Sequence, residues 1–406
     1  MDSLISVAAR ALACGDALAA LNYIAWRDDP PALALRGIAM AQLGELSRAK
    51  ILLRRATRAF GRREAIARAR CIVAEAEIAL VSRDLTWPLK ALDSAYEALA
   101  RQGDNANAAQ ARYLKARYLL LVGRVDETER LLLEFDPAPM PPASRAGHEL
   151  VVAGIAMRRL QTQVACAALR RAEAAARQAG IPSVLAEVQA ATLALESPAA
   201  RLIAGGEERV MRLADVERLL GSQTLVIDAC RRIVCHSGTV IPLQTRPVLF
   251  TLARALAEAW PADASRATLI ARAFRAKHAD ESHRARLRVE IGRLRGVLRG
   301  VAGIEATEAG FTLTPRRAPD VVVLAPPTHE SHAVVLALLA DGEAWSSSAL
   351  ALALSASQRT VQRALEDLMT KGKVQRIGRG RARRWMTPPV PGFPTALLLP
   401  GAVAGG

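Results

Sequence analysis

The sequence predicts a mainly α-helical protein: a long helical-repeat half followed by two small α+β units, each of three helices and a hairpin. Three observations predict it. Residues 1–200 are rich in Ala and Leu, with few β-branched runs and apolar residues at helical spacing. The pattern changes at Thr224, where "TLVIDACRRIVCHSGTVIPL" alternates β-branched residues with turn signals, as short strands do. After that, the order helix, helix, basic helix, hairpin occurs twice. A chain of 406 residues also exceeds one ordinary domain.

The helical half spans residues 1–200. Its turn signals are Gly15-Asp16, Asp29-Pro30, Gly44-Glu45, Trp87-Pro88, Gly103-Asp104, Gly123-Arg124 and Gly180-Ile181-Pro182. They divide the half into helices of about 12–20 residues in antiparallel pairs. One pair is sharply defined, with Gly37, Gly44, Ala49 and Ala56 at offsets 0, 7, 12 and 19. Weaker echoes follow near Ala91/Ala98, Gly123 and Cys166/Glu173. This spacing of small residues resembles the tetratricopeptide repeat, in which small side chains let two helices pack closely. The resemblance implies a protein-contact or effector-sensing scaffold.

Residues 201–222 are expected to form a helical connector, and 223–315 the first α+β unit. Short strands from Thr224 precede helices at 245–260 and 265–274, the latter with Ser265 as N-cap. A third helix opens at Ser282, and "IEATEAGFTLTP" closes the unit as a hairpin. In the third helix, Leu287, Ile291, Leu294 and Leu298 make one buried stripe. Arg286, Val289 and Arg293 lie on the far side, as do Gly292 and Gly296, which would let a phosphate backbone come close. Arg284, Glu290 and Arg295 complete the candidate contacts.

The order of elements and the stretch "LRVEIGRLRGVL" resemble the OmpR/PhoB-type winged-helix DNA-binding domain. Leu287, Val289, Ile291, Arg293, Leu294 and Arg295 fall on that family's recognition-helix pattern. Leu243 and Phe274 also fall on family positions. The likeness covers about residues 224–314 and implies duplex DNA as the ligand. The hairpin departs from the pattern: Thr307-Glu308-Ala309-Gly310-Phe311 lacks the arginine that often precedes Gly-x-Gly-Tyr. The family's usual receiver domain is replaced by the helical half.

A Pro-rich linker is expected at 316–328, a second unit at 329–388 and a flexible tail at 389–406. In the second unit, 331–342 and 346–354 read as helices, and "QRTVQRALEDLMTKG" reads as the third. Val361, Leu365 and Leu368 bury. Gln358, Arg359, Thr360, Gln362 and Arg363 are the candidate readers of base edges, where Arg suits guanine and Gln suits adenine. "KVQRIGRGRARRWM" then forms a hairpin carrying Arg376, Arg379, Arg381, Arg383 and Arg384, with no acid among them. It resembles the wing of MarR-like or DeoR-like bacterial regulators.

Charge points the same way. The net charge is +16, with a sequence pI near 10.6, which favours a polyanionic partner. Residues 1–200 hold 26 basic and 21 acidic side chains, residues 201–325 hold 20 and 13, and residues 326–406 hold 9 and 5. The C-terminal half therefore supplies +11 of the excess.

Other signals are weaker. Five scattered cysteines do not make a disulfide framework. Cys230, Cys235 and His236 share a hairpin, with His278 and His283 later, but C-x4-C-H fits no standard zinc pattern. "SRAK" at 47–50 lies inside a helix, and His329 and His332 make no zincin pair. Walker, G-x-S-x-G and G-x-G-x-x-G motifs are absent. The start lacks signal-peptide character, and no charge-free run of about 18 apolar residues occurs.

The reading is a cytoplasmic, non-enzymatic, bacterial-type transcriptional regulator with no cofactor, metal or membrane association. It binds double-stranded DNA, takes a protein partner or effector on its repeats, and is compatible with a homodimer. Two alternatives stay open. One is a repeat scaffold whose basic half binds nucleic acid without sequence preference. The other is a thiol or metal sensor acting through Cys230 and Cys235.

Overall fold

The computed structural model describes residues 3–61, 64–82, 84–134, 136–138, 140–274, 280–327, 332–339, 345–354, 356–377, 380 and 383–386. The protein is mainly helical with some sheet. It divides into two compact units. One comprises Met1–Ala194 with Val334–Gly406, and the other comprises Leu195–Ala333.

The first unit begins with eleven helices: α1 (Ser3–Ala13), α2 (Ala17–Ile24), α3 (Pro30–Gln42), α4 (Leu46–Ala59), α5 (Ala65–Val81), α6 (Leu89–Arg101), α7 (Asn105–Leu121), α8 (Val125–Leu133), α9 (Pro142–Arg158), α10 (Thr162–Ala179) and α11 (Pro182–Glu196). Consecutive helices pack in pairs from α1–α2 to α9–α10. The expected turn glycines do their work. Gly15, Gly44, Gly103, Gly123 and Gly180 all sit at positive φ, where a Cβ would be strained. Asp16, Asp29 and Asp104 cap the following helices through their carboxylates.

The α3–α4 pair meets the small-residue expectation. A Cβ on Gly37 would lie 2.8 Å from Leu53 Cγ, and Ala49 and Ala56 are fully buried. The later echoes shift register. In α6 the buried residues are Leu92, Ala95 and Leu99 rather than Ala91 and Ala98, and in α10 they include Ala165, Ala168, Leu169, Ala172 and Ala176 but not Cys166 or Glu173. Side-chain contacts between successive pairs recur at 33–34 residues: Lys50–Asp84, Arg70–Asp104, Glu77–Gln110 and Arg159–Asp126.

The second unit is a six-stranded sheet, a three-stranded sheet and four helices. The elements in chain order are β1 (Pro198–Ala204), β2 (Glu207–Arg212), α12 (Leu213–Leu220), β3 (Leu225–Asp228), β4 (Ile233–His236), β5 (Thr239–Pro242), α13 (Pro247–Ala259), β6 (Ala264–Ser265), α14 (Arg266–Phe274), α15 (Glu281–Leu298), β7 (Ala302–Ala306), β8 (Gly310–Pro315) and β9 (Val321–Ala325). The larger sheet runs β2-β1-β9-β3-β4-β5, and the smaller β6-β8-β7. Every pair is antiparallel except β3 with β9. One core joins the sheets to α13, α14 and α15 through Leu225, Ile227, Leu252, Leu256, Leu269 and Leu294.

Two sequence expectations fail here. Residues 201–222 are not a helical connector. They hold most of the β1–β2 hairpin, turned by Gly205 and Gly206 at positive φ, and then α12. Residues 316–328 are not a linker. They contain β9, whose five residues are all buried between β1 and β3. A strand covered on both faces is apolar throughout, so "VVVLA" has no alternation to mark it.

The C-terminal part of the first unit holds α16 (Ala333–Leu339), α17 (Ser347–Ala353), α18 (Gln358–Thr370), β10 (Gln375–Ile377) and β11 (Arg384–Met386). Ser346 and Ser357 cap α17 and α18. Trp345 and Trp385 exchange backbone hydrogen bonds of 2.8 and 2.7 Å and bury with Leu350, Leu365 and Leu368. This core does not close on itself. Leu85 is part of it, and Tyr118, Leu121 and Val122 of the helical half pack against it. Among the described residues, no helix is long and apolar enough to cross a membrane.

Candidate functional site

Helix α15 presents a sided surface. Leu287, Ile291, Leu294 and Leu298 bury at 1 % exposure or less, as the spacing predicts. The opposite side is lined by Ser282, Ala285, Val289, Gly292 and Gly296, all exposed. A Cβ built on Gly292 or Gly296 would meet nothing within 4 Å. The arginines stand on the flanks of this small-residue strip rather than on its crest.

Most of those arginines are already engaged. Arg284 and Arg288 reach Glu281 at 3.4 and 2.7 Å. Arg293 pairs with Glu290 at 2.8 Å. The Arg286 guanidinium lies 4.5 Å from the centre of the Phe274 ring. Arg295 Nε donates to the Ile304 carbonyl at 2.7 Å and so ties α15 to β7. Val289 stays open at 53 % exposure. The spacing places Glu281 and Glu290 within reach of their arginines on the same helix, but not the contacts to Phe274 and Ile304.

The hairpin β7–β8 lacks an arginine of its own at the tip, as the sequence shows. Arg266, from the start of α14, supplies one. It donates to the Glu308 and Thr307 carbonyls at 2.6 and 2.8 Å and lies over the Phe311 ring. Sequence reasoning missed it, because only the pairing of β6 with β8 brings α14 to the tip.

Helix α18 offers a cleaner basic face. Val361, Ala364, Leu365 and Leu368 bury, and Arg359, Gln362 and Arg363 are exposed. Among the described residues, Arg359 and Arg363 form no ion pair. Thr360 is drawn into the N-cap, its hydroxyl 2.7 Å from Ser357 Oγ. Gln358 Nε2 donates to Ser347 Oγ at 3.3 Å and so links α18 to α17. Glu366 falls on the same helical face as Arg359 and Arg363 and is exposed. Its offsets of 7 and 3 from those arginines make it readable from the sequence.

The hairpin β10–β11 follows α18 at once. Arg376 and Arg383 are exposed, whereas Arg384 is only partly so. Arg384 acts on Asp84 of the helical half. Burial raises the Asp84 carboxyl, but hydrogen bonds from Lys50 and Thr86 and the charges of Lys50 and Arg384 outweigh it, leaving the pKa below the ordinary value. The charge of Arg384 is the last of these contributions, and its Nη1 donates to the Arg383 carbonyl at 3.1 Å. Arg379 and Arg381, like His278 and His329, lie outside the described residues.

The thiols differ from reactive cysteines. Burial pushes the Cys230 thiol up to about 11, and Asp228 adds to the shift. Cys235 is raised for the same two reasons. Both shifts disfavour the thiolate that a nucleophilic sensor would use, although Cys230 is exposed. Among the described residues, no three His, Cys, Asp or Glu side chains gather as a metal site. Comparison with protein-family models, curated proteins and solved structures found no match to this chain.

Proposed function

We propose that the protein is a duplex-DNA-binding transcriptional regulator. Its helical half is a tetratricopeptide-like input scaffold, 223–315 form an OmpR/PhoB-type winged helix within the 195–333 unit, and 329–388 form a second winged helix-turn-helix. One observation carries the reading. Helices α15 and α18 each bury a single apolar stripe, carry exposed arginines on the remaining surface, and run directly into an antiparallel hairpin. A helix of this kind enters a major groove while the hairpin grips the backbone. The pI near 10.6 supports a polyanion as partner.

The two units divide the work in this reading. Helix α18 carries exposed Arg359, Gln362 and Arg363, which suit base edges. Helix α15 sets small residues between flanking arginines, which suits close approach to the backbone and few hydrogen bonds to bases. That arrangement favours sequence-tolerant binding by the first winged helix. The test is fluorescence anisotropy on the full chain with duplexes drawn from a selected pool and with random duplex. A selected sequence bound at least tenfold tighter than random duplex supports specific regulation. Equal affinity for all duplexes reduces the protein to a nonspecific nucleic-acid-binding scaffold.

A further inference from the structure

We propose that β2 is a self-association edge, on which the β2 strand of a second copy of this chain docks antiparallel and in one register. The inference goes beyond the DNA-binding reading and does not depend on it.

The six-stranded sheet ends in β5 on one side and in β2 on the other. The two edges are unlike. β5 is four residues long and closes on Pro242, which has no N–H to offer a further strand. β2 is six residues long and has no proline. Among the described residues it pairs with β1 alone. Its ladder with β1 is regular from Ala200 to Ala204, which keeps it extended. An edge of this length presents a row of backbone donors and acceptors to another strand.

Side chains alternate across the sheet. Met211 is buried on one face, whereas Glu208, Val210 and Arg212 share the other and are exposed, Val210 at 59 %. A twofold axis through Val210 sets Val210 of one copy against Val210 of the other. It also sets Glu208 of each copy against Arg212 of the other. Two pairs of opposite charge then flank one apolar pair, an arrangement that stabilises an antiparallel ladder. On the opposite face the same register places Arg209 against Met211, so no like charges are opposed. The neighbouring registers are poorer. An axis through Arg209 opposes two arginines, and an axis through Met211 leaves Arg212 against Val210. The stretch "ERVMR" is therefore complementary to itself in one register.

Glu208 is held in place for this pairing. Arg201 of β1, 8 % exposed, pairs with it from within the hairpin and donates Nε to the Pro326 carbonyl at 3.0 Å. A carboxylate accepts more than one donor, and Glu208 keeps 40 % of its side chain open. Arg212 forms no ion pair among the described residues. Charged side chains often keep sheet edges apart. A run of one sign would do so here, but the mixed signs of β2 attract a second copy.

The test is sedimentation velocity of the full chain over a concentration series, in the absence of DNA. One short ladder is a small interface, so the expected result is a reversible equilibrium between the 43.4 kDa chain and a species of twice that mass. Arg212→Glu turns both charge pairs repulsive and should raise the dissociation constant at least tenfold. Glu208→Arg should do the same, and an equimolar mixture of the two variants should restore the dimer, because every pair is again of opposite sign. Val210→Cys keeps the test decisive if Glu208→Arg does not fold with Arg201 left unmatched. It sets two thiols opposite each other, and a short bis-maleimide should link the chains above the parent's background. Val240→Cys, on the β5 edge, should not be linked. A chain that stays monomeric up to its solubility limit overturns the proposal and makes the β2 charges a device that keeps the edge solvated. An unchanged dimer in Arg212→Glu, or linking of Val240→Cys in place of Val210→Cys, also overturns it. Because DNA is absent, this result and the duplex affinities are read separately.

Discussion

Arginines that look alike in the sequence have different work in the structure. Arg295 spends its Nε on the Ile304 carbonyl, whereas Arg359 and Arg363 remain exposed on α18. Arg359→Ala and Arg363→Ala should each weaken binding to the preferred duplex by about 1–3 kcal/mol and loosen base preference. Anisotropy titrations against single-base variants measure this, and parent-like discrimination in both would remove α18 as the reader. Arg295→Ala should instead lower stability, by about 0.5–1.5 kcal/mol, because the β7 carbonyl loses its partner; chemical denaturation reads it out. Asp84 offers a pH test. Its folded pKa lies below the ordinary value, so its contribution is present above that value and is lost as pH falls through the folded pKa. The stability gap between the parent and Asp84→Asn should be open at pH 7 and should close as pH falls below the ordinary carboxylate range.

At the scale of elements, turn chemistry and helix pairing are separable. Gly44 at φ +84° ends α3 where a side chain would be strained. Gly44→Ala should cost about 1–2 kcal/mol, visible as a lower melting temperature, and a neutral effect would mean that the turn relaxes. Helix α18 is held by Leu365, which is fully buried in the core that also contains Trp345, Trp385 and Leu350 of α17. Leu365→Ala should cost about 2–5 kcal/mol through lost burial and the cavity left behind. The hairpin β10–β11 is a short ladder of three residue pairs, so it depends on this core and on the Trp345–Trp385 bonds rather than on its own hydrogen bonds.

For the whole molecule, the C-terminal core borrows surface from the helical half. Leu85 is buried in it, and Tyr118, Leu121 and Val122 pack around it. A fragment beginning at residue 201 would expose this face, so removing the helical half is not a neutral truncation. Leu85→Asp in the full chain should loosen 334–386 while the core of 195–333, which includes none of these residues, melts as in the parent. Protease sensitivity mapped to α16–α18 checks this, and an unchanged cleavage pattern would show the contact to be dispensable. Changing Arg376 and Arg383 together to Ala should weaken binding to all duplexes alike. The slope of log K against log salt should become shallower by about 0.9 for each phosphate contact removed; a parent-like slope would make the hairpin charge a merely solvated surface. Helix α7 carries both Tyr113 and Arg117, which line a cavity of the helical half, and Tyr118 and Leu121, which pack against the C-terminal core.

The sequence by itself determined the helices, their turns and the inward faces of α15 and α18, because periodicity, capping residues and positive-φ glycines are local properties. It also placed the basic excess in the C-terminal half, because charge is additive along the chain. Tertiary structure alone decided the rest. Val321–Ala325 became a central strand only by lying between β1 and β3, partners 117 or more and 93 or more residues away. The β1–β2 hairpin was missed, because 201–222 reads as a helical connector despite the Gly205-Gly206 turn, and its place at the sheet edge follows only from its pairing with β9. The pairs of Arg284 with Glu281 and Arg293 with Glu290 are local to α15, but the engagement of Arg295 by the Ile304 carbonyl and of Arg286 by the Phe274 ring depends on groups brought together by folding. The cavity around Glu77, Arg117 and Glu187 draws on helices 110 residues apart. No local window of sequence holds all three charges, and only the packing of α5, α7 and α11 sets them in one space.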